Sequence, residues 1–143
     1  MQRYITSSAA ETEALAERLA GQLRGGEVIA FVGGMGMGKT CFTHGLAAGL
    51  GIDPGEVSSP TFALVNEYRG GRLPLFHFDM YRVESFDALY STGFFDYLDQ
   101  GGVVAVEWSE NIAGALPEEC IRITFVRLDE TSRAITIEGV TLP

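Results

Sequence analysis

Lysine is nearly missing from this chain. Lys39 stands alone, and ten basic residues face nineteen acidic ones for a formal net charge of −9. Proteins that grip nucleic acid neutralise its phosphates with a basic patch. Here the arginines are scattered, which argues against strong direct binding to RNA or DNA without a basic partner. Cysteine is also sparse. Cys41 and Cys120 form no CxxC pair, and two reduced thiols are expected. No apolar run approaches the roughly 20 residues of a membrane span. The opening "MQRYITSSAAETEALAERL" lacks the basic segment and continuous apolar stretch of a signal peptide, so a soluble, cytoplasmic protein is expected. Internal repeats, low-complexity tracts and long linkers are absent as well.

What is present is enough apolar material, 46% of 143 residues, for one core, and the length fits one domain over residues 1–143. "SAAETEALAERLAGQLRGG" reads as a helix: Ser8 and Glu11 have capping-box spacing, Leu15, Leu19 and Leu23 make one stripe, and Gly25-Gly26 ends it. "EVIAFV" is a short buried strand, continuous rather than alternating. "KTCFTHGLAAGLG" is a second helix, with Phe42, Leu46 and Leu50 on one stripe and Gly51 as the stop. "TFALVNEY" and "LPLFHFDMY" are strands around a hairpin at Gly70-Gly71. "ESFDALYSTGFFDYL" is helical and breaks near Gly93, and "GGVVAVEW" is another buried strand, ending in an acid. "CIRITFVRL" and "RAITIEGV" alternate and close as an antiparallel pair. Helices alternate with buried strands early and hairpins come later, which predicts an α/β sandwich with a mixed sheet.

Between the first buried strand and the second helix lies "GGMGMGKT". Gly33, Gly38, Lys39 and Thr40 satisfy G-x-x-x-x-G-K-[ST], the P-loop pattern. Glycines let backbone N–H groups converge on phosphate oxygens without Cβ atoms in the way, and the following helix turns its positive end to the anion. Lys39 would reach the β- and γ-phosphates and the Thr40 hydroxyl would ligate Mg²⁺. Gly36 and the amides of Met37 and Cys41 complete the cradle. A short glycine pattern also arises by chance, but here it follows a strand and opens a helix, the context the motif requires. The expected fold is therefore a P-loop NTPase three-layer sandwich, with a mixed, mainly parallel central sheet and antiparallel hairpins.

A P-loop enzyme needs a second metal anchor, generally an acid at the end of a neighbouring buried strand. "VVAVEW" supplies Glu107. In "FHFDMYR", alternation puts Phe76, Phe78 and Met80 on one face and His77, Asp79 and Tyr81 on the other. Alone, that polar face reads as the wet side of a hairpin. Beside a phosphate site, Asp79 becomes a candidate for orienting the attacking water or the metal's water shell. His77 is read as structural. "SSPTF" is a proline-stiffened loop whose Ser59 and Thr61 could sense the γ-phosphate.

"GGMGMGKT", "SSPTF", "HFDMYR" and "VEW", in this order and spacing, resemble the TsaE (YjeE) family of small bacterial ATPases, over nearly the whole chain. The resemblance implies ATP and Mg²⁺ as cofactors and a part in making threonylcarbamoyladenosine on tRNAs that read codons beginning with A. It implies the TsaB–TsaD complex as partner, with tRNA met only through that complex. By matching position, Lys39 and Thr40 are the phosphate and magnesium residues, Glu107 the second metal-site acid and Asp79 the catalytic-site acid. Trp108 lines the site, Thr12 lies near the adenine and Arg133 borders the base. The family commonly has glycine-aspartate-leucine where this chain has Gly33-Gly34-Met35, so an acid of the loop is missing here. Two rivals rank lower. A small-molecule kinase would need an arginine-rich lid, and none is evident; a guanine-nucleotide switch would need N/T-K-x-D, which a chain with one lysine cannot supply. The remaining motif arginine, Arg82, points away from the Asp79 face by alternation, so slow hydrolysis by the isolated chain is expected.

Overall fold

The unbroken apolar runs of the sequence form the middle of a seven-stranded sheet. The computed structural model describes residues 1–33, 38–53, 65–80 and 83–142. Its strands are β1 (Gln2–Thr6), β2 (Val28–Val32), β3 (Val65–Tyr68), β4 (Leu75–Asp79), β5 (Val103–Glu107), β6 (Ile121–Arg127) and β7 (Arg133–Glu138). They lie side by side in the order β1-β7-β6-β2-β5-β4-β3. The four in the middle, β6, β2, β5 and β4, run parallel, with Ile29 opposite both Ala105 and Ile121 and with His77 opposite Ala105. Antiparallel strands finish both edges: β7 and β1 on one side, β3 on the other. A strand buried on both faces has no polar side to show, which is why "VIAFV" and "VVAVE" do not alternate.

Helices cover both faces. Helices α1 (Ala9–Ala20) and α2 (Lys39–Gly49) pack on one side, over Ile29, Phe31, Val103, Ala105 and the inward residues of β6 and β7. On the other, α3 (Phe86–Ser91), α4 (Phe94–Tyr97) and a 3₁₀ segment (Ser109–Ala115) cover Val28, Phe76, Phe78, Val104 and Val106. Helices α1 and α2 meet closely because Gly45 and Gly49 of α2 lie against Ala16 and Ala20 of α1. A Cβ at Gly45 would come 2.6 Å from that of Ala16 and closer still to the Glu13 carbonyl.

Helix α1 starts as its sequence predicts. Ser8 caps it, accepting from the Glu11 N–H at 3.1 Å, while the Glu11 carboxylate accepts from the Ser7 N–H. Its end comes earlier than the expected Gly25-Gly26 stop, at Gly21. The Arg72 guanidinium reaches across and donates to the carbonyls of Ala20 and Leu23 at 2.8 and 2.9 Å, supplying partners that further helical turns would have provided. Leu23 still joins the core from outside the helix. Strand β1 was not expected. The break at Gly93 is as read: its backbone is left-handed, φ +80°, between α3 and α4.

Candidate functional site

Parallel strands open their carboxyl ends on one side of a sheet, where α/β proteins gather their ligands. Here β2 ends at Val32 and leads to Gly33, β4 ends at Asp79, and β5 ends at Glu107, with Asp79 and Glu107 paired in register. The loop itself, residues 34–37, lies outside the described residues, and with it Gly36 and Met37. On its far side Gly38 takes a left-handed backbone, φ +95°, and begins α2 as its N-cap. No side chain caps that helix and no acid stands in its first turn, so its positive end is left to an outside anion.

Lys39 opens α2 yet is 95% buried, with 5% relative exposure. Its ammonium donates to the Gly33 carbonyl at 3.0 Å, stands 3.9 Å from Glu107 Oε1, and lies 5.3 Å from the centre of the Trp108 ring. An ammonium held in a dry setting needs such partners, and a ring face adds about 0.5–2 kcal/mol. Glu107 is nearly as buried, not the solvent-facing acid that a strand end often carries. Thr40 and Asp79 stand half-buried at the mouth of the site.

Trp108 holds a left-handed backbone, φ +57°, an arrangement costing a side-chain-bearing residue about 1–3 kcal/mol. The neighbouring contacts fix it there. Ser109 Oγ donates to the Phe31 carbonyl at 2.9 Å, joining the ends of β5 and β2, and the Met80 N–H donates to the Glu107 carbonyl at 3.0 Å. Nothing in the sequence signals Ser109 as a fastener.

His77 corrects the reading of "FHFDMYR". Its face is not the wet side of a hairpin: β4 has β5 on its other flank, Leu75 two residues before belongs to the core shared with α1 and α2, and His77 is fully buried. Its Nε2 lies 2.5 Å from Glu107 Oε2 without the aligned N–H of a hydrogen bond, and its Nδ1 has no hydrogen-bond partner among the described residues. Phe76, Phe78 and Met80 do fill the opposite face, as alternation requires. Tyr81, Arg82, Ser59 and Thr61 lie outside the described residues.

On the other flank of the α2 N-terminus is a cleft of about 330 Å³, lined in part by Ser8, Thr12, Gly38, Cys41 and Arg133. Four residues singled out in the sequence, spread from position 12 to 133, thus border one hollow of the size small ligands use. Thr12 is anchored by a hydroxyl–hydroxyl bond of 2.8 Å to Thr6, and the Arg133 guanidinium donates to the carbonyls of Asp129 and Ser132 at 2.9 and 3.0 Å. Burial, and then the Glu13 carboxylate, push the Cys41 thiol up, while Arg133 pulls it down, so Cys41 is a neutral wall and a poor nucleophile.

Among the described residues no group of three His, Cys, Asp or Glu side chains could cage a metal. The oxygen donors at the strand and helix ends, the Glu107 and Asp79 carboxylates and the Thr40 hydroxyl, are of the kind Mg²⁺ takes alongside its waters and phosphate oxygens.

Comparison with known proteins agrees with this architecture. The family model described as "Threonylcarbamoyl adenosine biosynthesis protein TsaE" matches residues 6–135. The tRNA threonylcarbamoyladenosine biosynthesis protein TsaE of Bacillus subtilis is 40% identical over 96% of this chain and 85% of its own. The protein of the same name from Treponema pallidum is 38% identical over 94% and 98%. The crystal structure of Bacillus subtilis YdiB superposes with a TM-score of 0.76 at 34% identity, covering 95% of this chain and 83% of that one. The chain belongs to the TsaE family and has its P-loop fold.

Proposed function

Taking membership of the TsaE family as the premise, we propose that the chain is a Mg²⁺-dependent ATPase, one domain over residues 1–143, that serves threonylcarbamoyladenosine formation on tRNA together with the TsaB–TsaD complex. The observation that carries the reading is Lys39: a buried ammonium at an uncapped helix N-terminus, 3.9 Å from a buried carboxylate at the end of the adjoining strand. A phosphate chain would give the uncapped helix N–H groups an anion and set a second one beside the Lys39 ammonium.

The bound nucleotide and metal supply a phosphoryl group and the divalent charge that offsets it. Lys39 would neutralise phosphate oxygens, Thr40 and Glu107 would hold the metal, and Asp79 would orient a water. Gly33 and Gly38 bracket the cradle, to which Cys41 would add its backbone N–H; Gly36, Met37 and Thr61, outside the described residues, are assigned to it by the sequence motifs alone. Trp108 and His77 keep water from the inner carboxylate, while the cleft of Thr12, Cys41 and Arg133 receives the base. Among the described residues no helix is long and apolar enough to cross a membrane, which suits work in the cytoplasm on tRNA. The acidic surface favours a basic protein partner over bare tRNA.

The test is steady-state ATP hydrolysis by the pure chain, with TsaB–TsaD added, and with tRNA alone. Slow turnover alone, acceleration by the proteins and none by tRNA are expected. Fast turnover by the pure chain, or stimulation by tRNA without the proteins, contradicts the reading.

A further inference from the structure

Aromatic rings stand in solvent on the α3–α4 side. Phe86 and Tyr90, one turn apart on α3, are 67% and 69% exposed, and both lie against Phe95 of α4, with ring centres 5.8 and 6.3 Å away. Beside them runs a groove of about 420 Å³, with Phe86 and Leu89 on one wall, Ile112, Gly114 and Ala115 on the other, and Glu84 at its rim. From Val83 to Glu119 the chain carries eight acids and not one Lys, Arg or His. Of these acids, Glu84, Asp87 and Glu110 are exposed on the elements that form the groove.

We propose that this groove and its aromatic rim are a protein-docking surface for a partner that presents an aliphatic knob ringed by arginine or lysine. Exposed aromatics in a cluster are the anchors that dominate protein interfaces, and they cost a monomer solubility when left bare. Charge selects the occupant. A second copy would set Glu84, Asp87 and Glu110 against the same three acids, and RNA or an anionic membrane would meet the same repulsion; a basic, apolar-tipped protein surface is complementary to both parts. In resting on the function proposed above, this inference assigns the face by which the chain meets TsaB–TsaD.

The position also links docking to the nucleotide. Asn111, in the 3₁₀ segment that walls the groove, donates from Nδ2 to the Met80 carbonyl at 2.8 Å. Met80 follows Asp79, and its N–H is bonded to the Glu107 carbonyl. A partner seated in the groove therefore presses on a segment one hydrogen bond from Met80, the neighbour of Asp79, and two from the Glu107 backbone.

The experiment measures the affinity of purified TsaB–TsaD for the wild-type chain and for three double variants, alongside ATP binding by each. Phe86→Ser with Tyr90→Ser, and separately Glu84→Lys with Asp87→Lys, are expected to weaken the complex at least about tenfold with ATP binding unchanged. Val126→Ser with Leu128→Ser, which removes the exposed apolar pair at the end of β6, is expected to leave it within about twofold. Complexes of wild-type affinity with both groove variants overturn the docking surface and leave the proposed partnership standing. No complex with the wild-type chain overturns both.

Discussion

On the α1–α2 face, helix meets helix at glycine and alanine, and every large side chain turned toward the sheet is covered; on the α3–α4 face, the helices have six and four residues and leave Phe86 and Tyr90 outside. The polar groups divide the same way. Lys39, His77 and Glu107 are buried on the α2 side, where each must find a partner within the protein or in a ligand. The acids on the groove elements of the other face, Glu84, Asp87 and Glu110, are exposed, and water serves them until a partner does. Under the proposed function, one face holds a small charged molecule in a fixed geometry and the other meets a large one. This division predicts which substitutions cost stability, which cost chemistry and which cost neither.

The largest effect is expected where the first face is tightest. Gly45→Leu drives a side chain into the Glu13 carbonyl and the Ala16 methyl, and separating α1 from α2 opens the core beneath. A loss of about 3 kcal/mol is expected in urea unfolding, the upper end for overpacking. Wild-type stability would mean that the two helices are not so closely joined.

A smaller effect separates the two acids. Glu107→Gln removes the buried charge beside Lys39 and is expected to raise the magnesium needed for half-maximal ATP hydrolysis about tenfold, or about 1.4 kcal/mol. Asp79→Asn, half-buried at the strand end, should lower turnover with the magnesium requirement unchanged, because the transition state loses a charge while the backbone cradle remains. Identical magnesium titrations for the two variants would remove the distinction drawn between them.

The smallest change sharpens the contrast from the other side. Phe86→Ser with Tyr90→Ser should leave thermal unfolding within about 0.5 kcal/mol of wild type, since neither ring supports the core. A large destabilisation would make the aromatic rim a structural element.

Much of this frame was legible in the residues. Continuous runs such as "VVAVE" mark strands covered on both faces, the Ser8–Glu11 spacing marks a helix start, and Gly51 and Gly93 mark stops; each rests on interactions within a few residues. The strand and the helix on either side of the glycine loop were legible for the same reason. Strand β1 escaped because it is a five-residue edge whose partner, β7, lies some 130 residues away, with Gln2 opposite Ile137. His77 escaped because alternation assigns sides of a strand but not what covers them, and here His77 is as fully buried as the apolar residues on the other side. The Ser109 bond to Phe31 spans 78 positions and leaves no local trace. The groove between α3 and the 3₁₀ segment likewise exists only once both have folded onto the sheet.

The central claim is that Lys39 is held for a phosphate chain. Trp108, the sole tryptophan, has the Lys39 ammonium over its ring and so reports on it. The most direct measurement is Trp108 fluorescence during titration with ATP and magnesium, in the wild-type chain and in Lys39→Ala, with circular dichroism to show both folded. The account predicts a saturable change in the wild type and a midpoint at least about a hundredfold higher, or no change, in Lys39→Ala, as expected when the charged partner of a buried anion is removed. Equal midpoints in two folded proteins would contradict it.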